Sequence, residues 1–258
     1  MTRIGQCFER LRDERRKGFV GFVTAGDPTI DRTVEVALEM ERGGVDVLEL
    51  GVPFSDPLAD GPVIQRASER ALRRGTTLTQ VLNAVQLIRR SSELPLVLFS
   101  YFNPLLRYGL QALARKAREA GVDGVLVTDL PPEEAEEWLS VARAADLDTV
   151  FLAAPTSPPA RLERVATASR GFVYAVSRTG VTGEREALSA EARPLVERLQ
   201  ALSREPVALG FGISTPEQVR AAADVADAVV VGSALVRFLE EHPDGDVAGQ
   251  VRWLKSAM

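Results

Sequence analysis

The 258-residue sequence contains one cysteine, Cys7, and one histidine, His242. A disulfide within the chain is therefore impossible, and a zinc site of the usual Cys/His kind cannot be assembled. Any Ser-His or Cys-His nucleophilic scheme would have to use His242. That residue lies in His242-Pro243-Asp244-Gly245-Asp246, which reads as an exposed turn. An enzyme built from this inventory does its proton transfers with carboxylates or tyrosines. No apolar run is long enough to span a membrane, and Met1-Thr2-Arg3-Ile4-Gly5 lacks a signal-peptide core, so a cytoplasmic location is expected. Basic blocks are missing as well: 31 Lys and Arg stand against 36 Asp and Glu, a formal charge of -5, which argues against nucleic acid as a partner. What remains is an ordinary globular profile, 45% hydrophobic and 26% charged, sufficient for a substantial core.

Short runs rich in Val, Ile, Leu and Phe alternate with stretches of helical spacing, the pattern of βαβ units around a parallel sheet. Strands are expected at Phe19–Thr24, Val47–Gly51, Leu96–Tyr101, Gly124–Thr128, Asp148–Leu152, Phe172–Val176, Val207–Gly210 and Asp227–Val231, eight in all. Between them Val34, Ala37 and Leu38 share one helical face, as do Leu110, Leu113, Ala114 and Ala117. Thr215-Pro216-Glu217-Gln218 has the capping-box pattern and predicts a helix start. Eight such units with no Pro/Ser-rich linker favour a single (β/α)8 TIM barrel domain over residues 1–258 rather than a doubly wound open sheet. The segment Thr2–Lys17, with Ile4, Phe8 and Leu11 at helical spacing, reads as an extra N-terminal helix covering one end of the barrel. Its arginines interleave with Glu9, Asp13 and Glu14 and form a solvated face.

Barrel chemistry sits in the loops after the C-terminal strand ends. Glu49 shares a strand face with Val47, and a parallel strand is buried on both faces. A glutamate there is either paired in a structural salt bridge or held near the barrel mouth in surroundings that raise its pKa toward the range useful for proton shuttling. Asp60, before Gly61-Pro62, reads on its own as an N-cap for the next helix. Within the string Glu49–Pro62, ELGVPFSDPLADGP, it becomes a second carboxylate that can converge on a ligand with Glu49. Gly210-Phe211-Gly212-Ile213-Ser214 follows the seventh strand, and Gly232-Ser233-Ala234 follows the eighth and opens a helix. Such turns serve tight geometry alone or bind phosphate through backbone N–H groups, and their pairing favours phosphate. Ser177 to Arg185 forms a long, polar, Gly-rich loop, a candidate mobile lid.

These segments together resemble the α subunit family of tryptophan synthase. The match is carried by Phe22-Val23-Thr24-Ala25-Gly26-Asp27-Pro28, the string from Glu49 to Gln65, Tyr101-Phe102-Asn103-Pro104, Asp129-Leu130-Pro131, Ser177 to Gly183, Gly210 to Thr215 and Val231-Gly232-Ser233, in order along almost the whole chain. The resemblance implies retro-aldol cleavage of indole-3-glycerol phosphate to indole and glyceraldehyde 3-phosphate, with no metal or organic cofactor in this chain. It also implies a pyridoxal-phosphate-dependent β subunit, in an α2β2 tetramer, that receives the indole and makes L-tryptophan. By the same resemblance Glu49 is the proton shuttle, Asp60 faces the indole N–H, Tyr174 orients Glu49 and Thr182 contacts Asp60 from the lid. Phe22, Tyr101, Leu126 and Phe211 would form apolar walls, with Thr128 a minor difference there. Phosphate would meet Gly183, Gly212, Gly232 and Ser233. Asp56, Pro57, Asn103 and Asp129 match positions at or near the β-subunit contact, and Pro53-Phe54 and Pro57-Leu58 would present apolar groups outside the barrel. The competing readings are a standalone indole-3-glycerol-phosphate lyase, another phosphate-binding barrel such as a phosphoribosyl isomerase or the synthase that makes indole-3-glycerol phosphate, and a catalytically silent activator of a β subunit.

Overall fold

The structure is a computed structural model that describes residues 2–177, 190–210 and 212–258. Its strands are β1 (Gly18–Thr24), β2 (Val47–Gly51), β3 (Leu96–Ser100), β4 (Gly124–Val127), β5 (Asp148–Val150), β6 (Leu152–Ala153), β7 (Val173–Val176), β8 (Val207–Gly210) and β9 (Ala228–Val231). All pair in parallel, in the spatial order β5-β4-β3-β2-β1-β9-β8-β7-β6. Only Phe151 separates β5 from β6, so the two ends of that order are one piece of chain and the sheet closes into a (β/α)8 TIM barrel.

The expected fifth strand, Asp148–Leu152, thus divides in two. Its lower half pairs with β4 (Leu126 opposite Val150) and its upper half with β7 (Leu152 opposite Tyr174). The staggered register of a closed barrel is the physical reason: a strand meets its two neighbours at different heights. Other strand ends differ from expectation by one residue, most usefully at Tyr101 and Thr128, which fall just past β3 and β4 where the loops begin.

Strand alternation sorts the core into two layers. Val20, Val47, Val97, Leu126, Val150, Phe172 and Ala208 fill the barrel interior. Phe19, Val23, Leu48, Leu50, Leu96 and Leu98 face outward against the helices, including Ala37 of Ile30–Gly43 and Leu110, Leu113, Ala114 and Ala117 of Leu110–Ala120. The N-terminal helix, Arg3–Asp13, starts at Thr2, whose hydroxyl accepts from Gly5 N–H. Its Ile4, Cys7, Phe8 and Leu11 join the interior cluster and floor the N-terminal end of the barrel, while residues 12–17 stay exposed. The capping box at Thr215 and Gln218 is formed. No described helix is long and apolar enough to cross a membrane.

The N-terminal strand ends are tied by carboxylates with evident partners. Asp46 accepts from Phe19 N–H at 2.9 Å, Asp227 from Val207 N–H at 2.9 Å, and Asp123 from Leu96 N–H at 2.8 Å and from Arg89 at 2.6 Å.

Candidate active site

At the opposite end of the barrel lie two buried carboxyls, Glu49 and Asp60, neither of which pairs with a cation among the described residues. Glu49 sits on β2, 1% exposed, beside Phe22 on β1 and Val97 on β3 in register. Its Oε1 makes no hydrogen bond to any described residue. Burial alone pushes its pKa up to about 8. Of the two readings open for a glutamate at this position, the structural ion pair is not formed among the described residues.

Asp60 lies in the β2 loop, also buried, and its pKa is raised to about 6. Burial drives the rise, and a hydrogen bond from Tyr101 opposes it. The helix Pro62–Arg73 has Gly61 as its N-cap with no side-chain cap, so Asp60 is not capping it. Tyr101, expected as an apolar wall, also has a polar role. Its hydroxyl accepts from Ala59 N–H at 2.9 Å and is hydrogen-bonded to Asp60, so it braces both the loop and the carboxylate. Its amphipathic nature was the available signal, since a buried tyrosine O–H usually finds a partner.

Tyr174 on β7 is buried within electrostatic reach of both Glu49 and Asp60, which together with burial keeps its hydroxyl protonated. Room for it comes from Gly210 on β8, where a Cβ would lie 2.5 Å from the tyrosine Oη. Gly51 does the same for Phe22, whose ring would be 2.5 Å from a Cβ there. The Phe22 ring meets Phe99 edge-on at 5.1 Å. Gly51 went unremarked in the sequence and Gly210 read only as part of a turn, because what each accommodates comes from a neighbouring strand. Leu126 on β4 is fully buried and faces the barrel interior.

Among the residues expected to hold phosphate, Gly232 is the N-cap of the helix Ser233–Glu241, with no side chain capping that terminus. Gly212 has φ +80° in open space, so conformation, not crowding, calls for glycine. Both follow adjacent strands, β8 and β9. Thr182, Gly183 and Phe211 lie outside the described residues.

Asp56, Pro57, Asn103 and Asp129 follow the three neighbouring strands β2, β3 and β4 and occupy one sector of the rim. Asp129 has a local duty, accepting from Phe102 N–H at 2.7 Å at the start of the helix Phe102–Tyr108. Phe54 departs from expectation: it folds back onto Tyr101, ring centroids 5.1 Å apart, and Pro53 is buried. Leu58, 84% exposed, is the apolar group this loop does present. His242 is exposed and stacks on Phe238. Cys7 is buried in the barrel floor, where burial raises its pKa to about 11, far from a reactive thiolate. A groove of about 880 Å3 beside the N-terminal helix, between Arg12, Arg204 and Asp148, is at the end of the barrel remote from these carboxyls.

A closed parallel barrel with two buried carboxyls at its C-terminal mouth, neither paired with a cation among the described residues, defines the class as a (β/α)8-barrel protein with its candidate site in the usual place. The model of the family described as tryptophan synthase alpha chain matches residues 8–257. The tryptophan synthase alpha chain of Solibacter usitatus is 55% identical over 244 residues, covering 95% of this chain and 91% of that one. A chain of Mycobacterium tuberculosis tryptophan synthase superimposes with a TM-score of 0.92 at 40% identity, covering 99% of this chain and 98% of the other. The alpha subunit from Legionella pneumophila gives 0.91 at 37% identity, covering 100% and 97%. The chain belongs to the tryptophan synthase alpha chain family. It is a lyase of tryptophan biosynthesis, cleaving indole-3-glycerol phosphate to indole and glyceraldehyde 3-phosphate.

Proposed function

We propose that Glu49 and Asp60 divide the acid–base work of this cleavage. The bond between indole C3 and the first linker carbon breaks only after C3 is protonated, and the hydroxyl on that carbon must lose its proton as the aldehyde forms. Glu49, neutral at pH 7 by virtue of burial, gives the first proton and takes back the second. The bonding pair returns to the ring and restores its aromaticity. Protonation at C3 places positive charge on the ring nitrogen, where Asp60, ionised at pH 7, stabilises it by taking up the N–H proton and returns that proton to the nitrogen as the bonding pair comes back to the ring. Tyr174 holds the Glu49 side of the cavity, and Phe22, Tyr101, Leu126 and Phe211 wall the ring. Backbone groups at Gly183, Gly212 and Gly232, with the Ser233 hydroxyl, take the phosphate at the positive end of a helix dipole. Thr182 reaches Asp60 from its loop. These groups need no metal or organic cofactor, and residues 1–258 work as one barrel domain.

The rim sector of Asp56, Pro57, Leu58, Asn103 and Asp129 is the surface for a β subunit carrying pyridoxal phosphate, in an α2β2 assembly that passes indole on to L-tryptophan synthesis. The observation that carries the catalytic reading is the burial of Glu49 at the mouth with no cation paired to it among the described residues. Indole release from indole-3-glycerol phosphate, with and without a β subunit, tests it. Slow release alone, much faster release with the β subunit, and loss of release in Glu49→Gln are expected. Wild-type rates in that variant overturn the mechanism, and fast turnover indifferent to any β subunit favours a standalone lyase.

A further inference from the structure

Thr24, the last residue of β1, is 4% exposed, and its Oγ1 makes no hydrogen bond to any described residue. Buried hydroxyls are ordinarily satisfied, so an orphan of this kind asks for a partner that no described residue supplies. Its direction follows from β1 itself. Phe19, Val23 and Ala25 pack outward with the helices, whereas Val20 fills the barrel interior and Phe22 meets Phe99. Alternation therefore turns Thr24 inward, one step nearer the mouth than Phe22. Across the strand pair it stands opposite Gly51, whose lack of a side chain makes room for the Phe22 ring, while Phe22 stands opposite Glu49.

The sheet order supplies the second argument. β1 lies between β2, which carries Glu49, and β9, which leads into the Gly232 helix terminus. A substrate reacting at Glu49 with its phosphate at Gly232 must lay its linker across the end of β1. That linker carries two hydroxyls: one on the carbon that becomes the aldehyde, and one on the next carbon toward the phosphate, which takes no part in bond breaking. We propose that the Thr24 hydroxyl is a substrate-binding and specificity-determining group that hydrogen-bonds the second, unreactive hydroxyl of the linker. A threonine hydroxyl can donate and accept at once, which suits a secondary alcohol. A site that hydrogen-bonds a substrate hydroxyl also discriminates against analogues lacking it. The inference rests on the substrate placement proposed above.

The test compares Thr24→Val, which keeps the shape and removes the hydroxyl, with Thr24→Ser, which keeps the hydroxyl. One probe is indole-3-glycerol phosphate; the other is indole-3-propanol phosphate, which retains ring, linker length and phosphate but has no linker hydroxyl. Thr24→Val should lower kcat/KM for the substrate about three- to tenfold, the range of one neutral hydrogen bond. Its inhibition constant for indole-3-propanol phosphate should stay within about twofold of wild type on the same reasoning, and Thr24→Ser should restore most of the loss. Parallel losses for both ligands, no loss for the substrate, or a serine variant as impaired as valine would each overturn the proposal. Should Thr24→Val fail to fold, Thr24→Ala carries the same comparison. If the wild-type protein cleaves no indole-3-glycerol phosphate, the lyase reading fails by itself. Calorimetric titration with glycerol 3-phosphate then still decides the role of Thr24, since equal affinity in wild type and Thr24→Val refutes it.

Discussion

The hydroxyl of Tyr174 on β7 occupies the volume that any side chain at Gly210 on β8 would need, a Cβ there lying 2.5 Å from Oη. A methyl at Gly210 would also come within 2.8 Å of the Val230 Cβ. Gly210→Ala should therefore displace the tyrosine, costing about 1–3 kcal/mol of stability and lowering cleavage activity. In a Tyr174→Phe background the same alanine should cost less, because the nearest of its contacts, the one with Oη, has gone. Equal costs in both backgrounds, measured by urea unfolding, would show that the two residues are not coupled.

With Glu49 at about 8 and Asp60 at about 6, kcat/KM should follow a bell, rising as Asp60 ionises and falling as Glu49 loses its proton. The limbs belong to the pair, since the two groups share one cavity. Asp60→Asn should lower the plateau and remove the acid limb while leaving the alkaline one. A flat profile between pH 5.5 and 8.5, an interval set at roughly half a unit beyond the two values, would sink the assignment.

Tyr101→Phe removes the donor that holds the Asp60 pKa down and the acceptor for Ala59 N–H. The acid limb should move to higher pH, so activity at pH 6.5 should fall more than activity at pH 7.5, about one unit apart across the expected midpoint. A uniform loss across pH would mean that Tyr101 only braces the loop.

Stability should carry the same signature with a definite sign. The folded-state pKa of Glu49 is raised from 4.5 to about 8, so the native protein keeps a proton that the unfolded chain releases. Wild type should lose stability as pH rises from about 4.5 to about 8, at up to about 1.4 kcal/mol per pH unit. Glu49→Gln stays neutral and should gain on wild type across that window, by at most about 5 kcal/mol. Unfolding curves at pH 5 and pH 8.5, near the ends of the window, check this, and parallel changes in both proteins would rule it out.

The barrel was legible from the sequence because each strand is a short apolar run ended by turn residues, and parallel strands buried on both faces leave that trace. The division of Asp148–Leu152 was not, since it depends on the height at which two other strands arrive. Glu49 and Asp60 stood out as carboxyls on and just after the second strand, and the family resemblance supplied their expected roles. Less visible were contacts between residues distant in sequence. Phe54 reads as exposed until Tyr101 is beside it, and Tyr101 reads as apolar until Asp60 is within reach. Thr24 sits inside a recognised motif, yet nothing in the string shows that its hydroxyl is left without a partner.

The strand order β2-β1-β9 also works as a ruler. Neighbouring strands are about 4.8 Å apart, so the wall from the strand bearing Glu49 to the one leading into Gly232 measures about 10 Å. Backbone hydrogen bonding sets that interval, and side-chain substitution hardly changes it. On the substrate placement proposed above, alterations at the mouth can retune which ring is accepted, but the separation between the reacting carbon and the anionic end of a substrate is a constant of the barrel.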